Sequence, residues 1–295
     1  MSAAKLLAPA KVNLYLAVRP ERRPDGFHEL ETIFQAIGLA DVVTITARPA
    51  GLECHCPALP LTPQENLAFR AAQLLLRSAR CRSGAYIEIA KRIPAGAGLG
   101  GGSSDAAATL VGLNDLLGLN LSPEKLEQLA AQLGSDVPFF LRGGRQLGRG
   151  RGELLHPLPA GPELWLVLCF AGEGLPTAEV YREFDAQPDH PPFGAGEALQ
   201  RLAAPASAAQ ALYNSLQPAV ERLRPDVRRL RLRLEDLAGR RAIVSGAGNA
   251  VFTLLPSPDE AAQLARAAAR RLAARTLVAR TVTHGVRPID GSPAQ

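Results

Sequence analysis

The chain has 295 residues, of which 47% are hydrophobic, 21% charged and only 5% aromatic. That balance is ordinary for a globular protein with room for two domains, its cores resting on Leu, Val, Ile and Ala, and no apolar run reaches the length that spans a bilayer. Lys and Arg number 33 against 28 Asp and Glu, a formal charge of +5 that suits an anionic small molecule and could also suit nucleic acid.

The N-terminus alternates apolar and polar residues too soon for a signal peptide, so a cytoplasmic protein is expected. Over residues 10–18, AKVNLYLAV, the alternation predicts a strand with Val12, Leu14, Leu16 and Val18 on one face and Lys11, Asn13 and Tyr15 on the other. A turn is expected across RPERRPDGFHE, then a strand at DVVTITA (41–47). Cys54, His55 and Cys56 offer three metal ligands in a row, but no second pair follows, so ordinary reduced thiols are expected and no metal site. A helix is predicted over 65–79, and a strand over 85–93 leads into a glycine loop.

After the loop, Ser103 and Ser104 read as N-caps of the helix DAAATLVGLNDLLG. Ser122 and Pro123 open another helix, and Asp136 stands at the start of a short helical turn. Residues 147–160 read as the passage between two halves, and ELWLVLCF (163–170) as a buried strand. Residues 185–196 read as a surface loop. The arginines of 221–241 read as a solvated helix face, since Leu223, Val227, Leu230 and Leu234 recur at helical spacing with acidic residues between them. A strand over 241–255, a helix near 258–274 and a closing strand complete the pattern.

Gly96, Gly98 and Gly101 fit G-x-G-x-x-G between a strand and a helix. A dinucleotide fold also needs an acidic residue about 20 positions on, at the end of a second strand. Here that region is a turn into a helix. A Walker A loop ends in G-K-[ST], and this one ends in G-G-S-S. What remains is a glycine-rich backbone at a helix start, where amide groups and partial positive charge bind phosphate and serine hydroxyls reach phosphate oxygens or Mg²⁺.

PAGAGLGGGSSDAAA resembles the phosphate loop of the GHMP kinases. PAKVNLYL is similar to that family's first motif, and VSGAGNAVFTLL (244–255) to its third. AKVNLYLAVRPERRPDGFHELETIFQAIGLADVVTI, GSDVPFFLRGGRQLGRGRGELLHPLP and PTAEVYREFD resemble the members that act on a cytidyl diphospho-methylerythritol. The resemblance implies an α+β fold in two domains: a ribosomal-protein-S5-like domain over 1–155 and a ferredoxin-like domain over 156–295. The active site would lie in the cleft between them. The implied reaction, in the non-mevalonate isoprenoid route, moves the γ-phosphoryl group of ATP, with Mg²⁺, to the 2-hydroxyl of the methylerythritol.

The same resemblance implies the residues. Asp136 would be the base and Lys11 its electrostatic partner; on the residues alone Asp136 reads equally as a helix cap, and Lys11 as an exposed lysine. Pro94, Ala95, Gly96, Ala97, Gly98, Leu99, Gly100, Gly101, Gly102, Ser103 and Ser104 would hold the triphosphate, with Asn66 and Lys91 near the nucleoside. Asn13 would face the substrate, while Phe27, His28 and Tyr181 would take the cytosine by stacking and an edge hydrogen bond. Ordinary packing is the alternative reading of those three. Two positions depart from the family pattern. Ser215 replaces Asp in Asn-Asp-Leu, and Asn249 replaces a residue that is usually smaller or Pro. A small-molecule enzyme is expected, a monomer or weak homodimer that binds neither nucleic acid nor membrane. The rivals are another GHMP kinase, acting on homoserine or mevalonate, and a basic RNA-binding protein.

Overall fold

The computed structural model describes residues 2–289. Two long strands, β1 (Ala3–Arg22) and β2 (His28–Arg48), pair antiparallel around a turn at 23–27, shorter than the sequence implied. β3 (Leu52–His55) carries Cys54 and runs parallel to β4 (Gly84–Ala90), which pairs with β2. Between them α1 (Leu67–Ser78) is capped by Asn66, whose side chain accepts from the Ala68 amide. Next come α2 (Gly101–Leu116), α3 (Pro123–Leu133) and α4 (Val137–Arg142). α2 is buried on most of its circumference, between the sheet and the other three helices. It lies so close to the sheet that a side chain at Gly112 would meet Leu6 and Ile45 at 2.6 Å.

The passage expected at 147–160 is instead a hairpin of β5 (Arg145–Arg149) and β6 (Leu154–Pro157), which adds to the first sheet through β2. Gly150 and Gly152 take positive φ in its turn, and Glu29 accepts from the Gly150 amide at 2.9 Å. The glycines that read as a linker close a tight turn.

β7 (Trp165–Phe170) opens the second sheet. α5 (Thr177–Ala186), α6 (Ala195–Leu202), the short β8 (Tyr213–Asn214), α7 (Gln217–Leu223) and α8 (Pro225–Ala238) follow. The strand expected over 241–255 is broken into β9 (Ala242–Val244) and β10 (Ala250–Leu255), because Ser-Gly-Ala-Gly-Asn forms a turn. After α9 (Pro258–Arg271) comes β11 (Arg275–Arg280), and the sheet order is β11-β7-β10-β9, all antiparallel. In chain order that is 4-1-3-2, the ferredoxin-like arrangement. The arginine-rich stretch is two helices split at Arg224–Pro225. Arg231 lies between Glu221 and Glu235, while Val227, Leu230 and Leu234 face inward.

The two sheets share one core. Val12 and Leu14 of the first cluster with Leu166, Leu168 and Phe252 of the second. The expected division after residue 155 falls inside β6, and later segments rejoin the first sheet: β8 pairs parallel with β1, and β12 (Arg287–Pro288) antiparallel with it.

Candidate active site

β1 does not keep its alternation. Asn13 pairs with Phe34 and Tyr15 with Ile33, so Leu14 is an extra residue, a β-bulge. The bulge reverses the parity beyond it. Leu16 lines the same cavity as Lys11 and Asn13, and Tyr15 turns into the core, its hydroxyl donating to the Phe193 carbonyl at 2.8 Å. The expected company of Lys11, Asn13 and Tyr15 on one face is thereby corrected.

Lys11 is only 5% exposed, so the reading of it as an ordinary surface lysine fails. Its ammonium donates to Asn13 Oδ1 at 2.8 Å, lies 3.5 Å from Asp136 Oδ2 and sits over the Phe34 ring, 5.3 Å from its centroid. Asn13 Nδ2 donates to Thr32 Oγ1, which donates to the Tyr15 carbonyl, both at 2.8 Å. That relay fixes the amide so that its oxygen faces the ammonium. Asp136 precedes α4 but makes no capping hydrogen bond with its side chain. Its carboxylate, 37% exposed, is left to Lys11 and the cavity.

The glycine loop is the wall between two cavities. Gly96, Gly98 and Gly100 line the one of about 290 Å³ that holds Lys11, Asn13, Asp136 and Tyr181. They also line a second, of about 330 Å³, which contains Asn66, Lys91, Ser103 and the loop from Pro94 to Gly102. Positive φ at Gly96, Gly98 and Gly100 lets the loop lie close to its neighbours. Its position is set from both sheets. The Lys11 amide donates to the Leu99 carbonyl at 3.0 Å, and Ser245 Oγ, in the β9–β10 turn, donates to the Gly98 carbonyl at 3.1 Å.

Ser103 and Ser104 are not caps. α2 starts at Gly101, with left-handed Gly100 as its N-cap, so both serines lie in the first turn. Ser103 lines the second cavity; Ser104 is wholly buried, its hydroxyl without a partner, and the structure does not bring it there. Lys91 lines that cavity while bonded to Asp41 and, at 2.8 Å, to Asp105. Burial opposes the Lys91 charge, but the two carboxylates outweigh it and hold the ammonium above its usual pKa. Burial raises the Asp105 carboxyl and Asp41 adds to this, with Lys91 opposing. Sequence reasoning missed both acids, which are 50 and 14 positions from Lys91.

Of the expected cytosine residues, Tyr181 lines the Lys11 cavity, and burial, with the Asp136 charge adding, pushes its phenol up to about 12. His28 stacks on Tyr181 at 5.5 Å between centroids, with planes 21° apart. It is buried, and its Nδ1 donates to the Arg19 carbonyl at 2.8 Å. Nε2 lies 2.9 Å from Asp185 Oδ1 without the alignment of a hydrogen bond. Asp185, also engaged by Arg22, is a further missed partner. Phe27 is 52% exposed under the Arg151 guanidinium, 4.7 Å from its ring centroid, and Arg151 lines the cavity. His28 and Tyr181 are therefore brought together, with Phe27 at the rim.

Both departures from the family pattern are hydrogen-bonded. Ser215 Oγ accepts from the Val18 amide at 3.2 Å, and Asn249 Nδ2 donates to the Ala171 and Gly172 carbonyls at 2.7 Å. They hold backbone, away from Lys11 and Asp136.

Residues 66–144 match the GHMP kinases N terminal domain, and residues 196–274 the GHMP kinases C terminal domain. The chain is 44% identical to 4-diphosphocytidyl-2-C-methyl-D-erythritol kinase of Moorella thermoacetica over 272 residues, covering 90% of this chain and 94% of that one. It is 44% identical to the same enzyme of Nocardioides over 270 residues, covering 88% and 90%. A crystal structure of 4-(cytidine 5'-diphospho)-2C-methyl-D-erythritol kinase superposes with a TM-score of 0.80 at 41% identity, over 94% of this chain and 98% of that one. The homoserine kinase of Cytophaga hutchinsonii, 19% identical with a TM-score of 0.73 over 98% of each chain, shares the fold. With both halves matched, and a glycine loop walling off an acid–ammonium pair from a second cavity, this chain belongs to the GHMP kinase family.

Proposed function

We propose that the protein transfers the γ-phosphoryl group of ATP to the 2-hydroxyl of 4-diphosphocytidyl-2-C-methyl-D-erythritol, a step of non-mevalonate isoprenoid synthesis. The observation that carries this is the Lys11–Asp136 pair, 3.5 Å apart, in a cavity whose wall is the glycine loop. The triphosphate lies along the loop from Pro94 to Ser103 with the nucleoside toward Asn66 and Lys91, and the acceptor hydroxyl enters from the Asp136 side. The acceptor oxygen forms a bond to the γ-phosphorus as the bond to the β,γ-bridging oxygen breaks. The hydroxyl proton passes to the Asp136 carboxylate. Lys11, fixed by Asn13, stands where negative charge grows on the transferring group. Tyr181 gives an aromatic surface for cytosine, with the buried His28 stacked on it and Phe27 at the rim.

Mg²⁺ in such reactions is carried mainly by the nucleotide's phosphates and needs one or two protein oxygens. The Ser103 hydroxyl, in the cavity lined by the loop, would supply such an oxygen. When bound, the ion neutralises phosphate charge. We also propose that the enzyme works in the cytoplasm on this small molecule alone, as a monomer or weak homodimer. No described helix is long and apolar enough to cross a membrane.

The test is ATP turnover with Mg²⁺ and the cytidyl substrate, homoserine or mevalonate in separate reactions. Turnover is expected with the cytidyl compound at micromolar concentration and not with the other two. Turnover with homoserine or mevalonate instead would replace the assignment with another branch of the family. Salt-dependent RNA binding without any turnover would reject catalysis altogether.

A further inference from the structure

A third cavity, of about 290 Å³, opens across β2 from the reaction cleft. Neighbouring residues of a strand look to opposite faces: Phe34 lines the Lys11 cavity, and Gln35 lines this one. Arg145, at the start of β5, stands in its wall and is 8% exposed. Its Nε donates to Gln35 Oε1 at 2.9 Å. The Gln35 amide nitrogen is committed to the Ala36, Gly144 and Val282 carbonyls, which turns its oxygen toward the guanidinium. Among the described residues that is the one hydrogen bond Arg145 donates from its side chain, and no carboxylate pairs with it. A guanidinium has five N–H donors, so most of them are unspent.

Burial depresses the pKa of this guanidinium, and no neighbouring charge offsets it. A buried cation without a counter-charge is unfavourable unless something supplies one. Arg145 lines the cavity, and that is where such a partner would stand. A side-chain carbon at Gly161 would lie 2.3 Å from Arg145 Nη1, so the fork rests against bare backbone. Arg142, in the last turn of α4, adds a second positive side chain to the lining. Glu163 is the one carboxylate among the described lining residues, and it is taken by Arg280 at 2.7 Å. Pro157, Leu158 and Pro162 make the remaining wall apolar.

We propose that this cavity is an anion-binding site, separate from the glycine loop, that takes a small phosphate-bearing ligand on the Arg145 fork. Planar guanidinium and phosphate oxygens match in a bidentate pair, and the apolar wall accepts a short carbon body. Residues 157–163 and 281–283, which pass between the two sheets, both line the cavity, so an occupant ties them together. The site needs neither Lys11 nor Asp136 and stands apart from the proposed reaction.

The experiment titrates inorganic phosphate, inorganic pyrophosphate and butyl phosphate separately against the full chain. The protein is first saturated with a non-hydrolysable ATP analogue so that the glycine loop is filled, and thermal unfolding is followed. At least one of the three is expected to raise Tm progressively with concentration. A response to all three marks the oxyanion as sufficient; one confined to pyrophosphate or butyl phosphate defines the rest of the ligand, and each of these supports the site. Arg145→Met should fold and lose the response, its Tm in phosphate-free buffer falling only by what the unpaired Gln35 oxygen costs. Arg145→Lys, which keeps the charge without the fork, should weaken the apparent Kd about tenfold. The site is rejected if no ligand raises Tm, or if the response survives in Arg145→Met. Should the Met variant fail to fold, an unchanged Kd in Arg145→Lys rejects it equally.

Discussion

Gly98 is the residue on which the joint between the two sheets bears hardest. Its φ is +76°, and a side-chain carbon there would lie 2.0 Å from the Ser245 carbonyl oxygen and 3.0 Å from the Gly248 amide nitrogen. Both are backbone atoms of the β9–β10 turn, so neither can swing aside like a side chain. The fit is mutual, since a carbon added at Gly248 would meet the Ala97 carbonyl carbon at 2.1 Å. In Gly98→Ala, holding alanine in the left-handed region costs about 1–2 kcal/mol. Forcing the two segments apart, by roughly 1 Å or more to regain van der Waals contact, costs about another 1–3 kcal/mol. The variant is therefore expected to lose about 2–5 kcal/mol, a Tm drop of roughly 2 °C for each. Because the displaced segment is also the phosphate cradle, kcat/KM for ATP should fall about a hundredfold. Gly196→Ala is the control: it lies within α6, with nothing near the added carbon, and should be neutral or stabilising by about 0.5–1 kcal/mol. Steady-state kinetics and thermal unfolding on both variants decide the matter. Wild-type Tm and kcat/KM in Gly98→Ala would refute the close seating of the loop on the second sheet.

Asp136→Asn is expected to lower kcat by about two to four orders of magnitude, and Lys11→Ala by about two to three, with ATP binding and circular dichroism unchanged; normal turnover in either removes that residue from the chemistry. Tyr181→Leu should raise KM for the cytidyl substrate about tenfold and leave KM for ATP alone, and an effect on ATP instead would move the base site elsewhere. The Asp105 carboxyl is raised on folding, chiefly by burial, so its contribution to stability is complete below the ordinary carboxylate range and is lost as pH climbs through the folded value. Asp105→Asn, which cannot ionise, should accordingly gain on the wild type in urea unfolding as pH is raised from 5 to 8. Parallel stability curves would show that Asp105 does not titrate differently in the folded chain.

The glycine loop was legible because its signal is local: a dense glycine run has little purpose unless the backbone itself approaches something. The ferredoxin-like half followed from family resemblance, whereas its β9–β10 turn did not follow from periodicity. VSGAGN sits between apolar runs on both sides, and the whole stretch read as one strand. The hairpin of β5 and β6 was hidden for a related reason. Gly148, Gly150 and Gly152 beside Arg149 and Arg151 have the composition of a linker, and only pairing with β2 makes them strand and turn. Polar groups that meet across the fold were the least visible. Asp41 opens an apolar strand and Asp105 stands in a helix's first turns, and nothing in the spacing joins either to Lys91.

The bulge at Leu14 shows most directly how such a limit bears on the site. A regular strand would have put Tyr15 beside Lys11 and Asn13, and kept Leu16 with the core residues Val12 and Leu14. The inserted residue lets one strand present two polar groups to the cleft, then bury Tyr15 against Phe193 and Tyr213 while Leu16 goes back to line the cavity. The relay from Thr32 depends on it as well, because Thr32 Oγ1 donates to the Tyr15 carbonyl just past the bulge. A strand of strict alternation could still carry Lys11 and Asn13 on one face, but that anchor for the Asn13 amide would be displaced. Lys11 would then keep its charge and lose the fixed acceptor that aims it at Asp136. Deleting Leu14 should therefore abolish turnover far more than it weakens ATP binding. An enzyme lacking Leu14 with full activity would show that the aim of Lys11 does not come from the bulge.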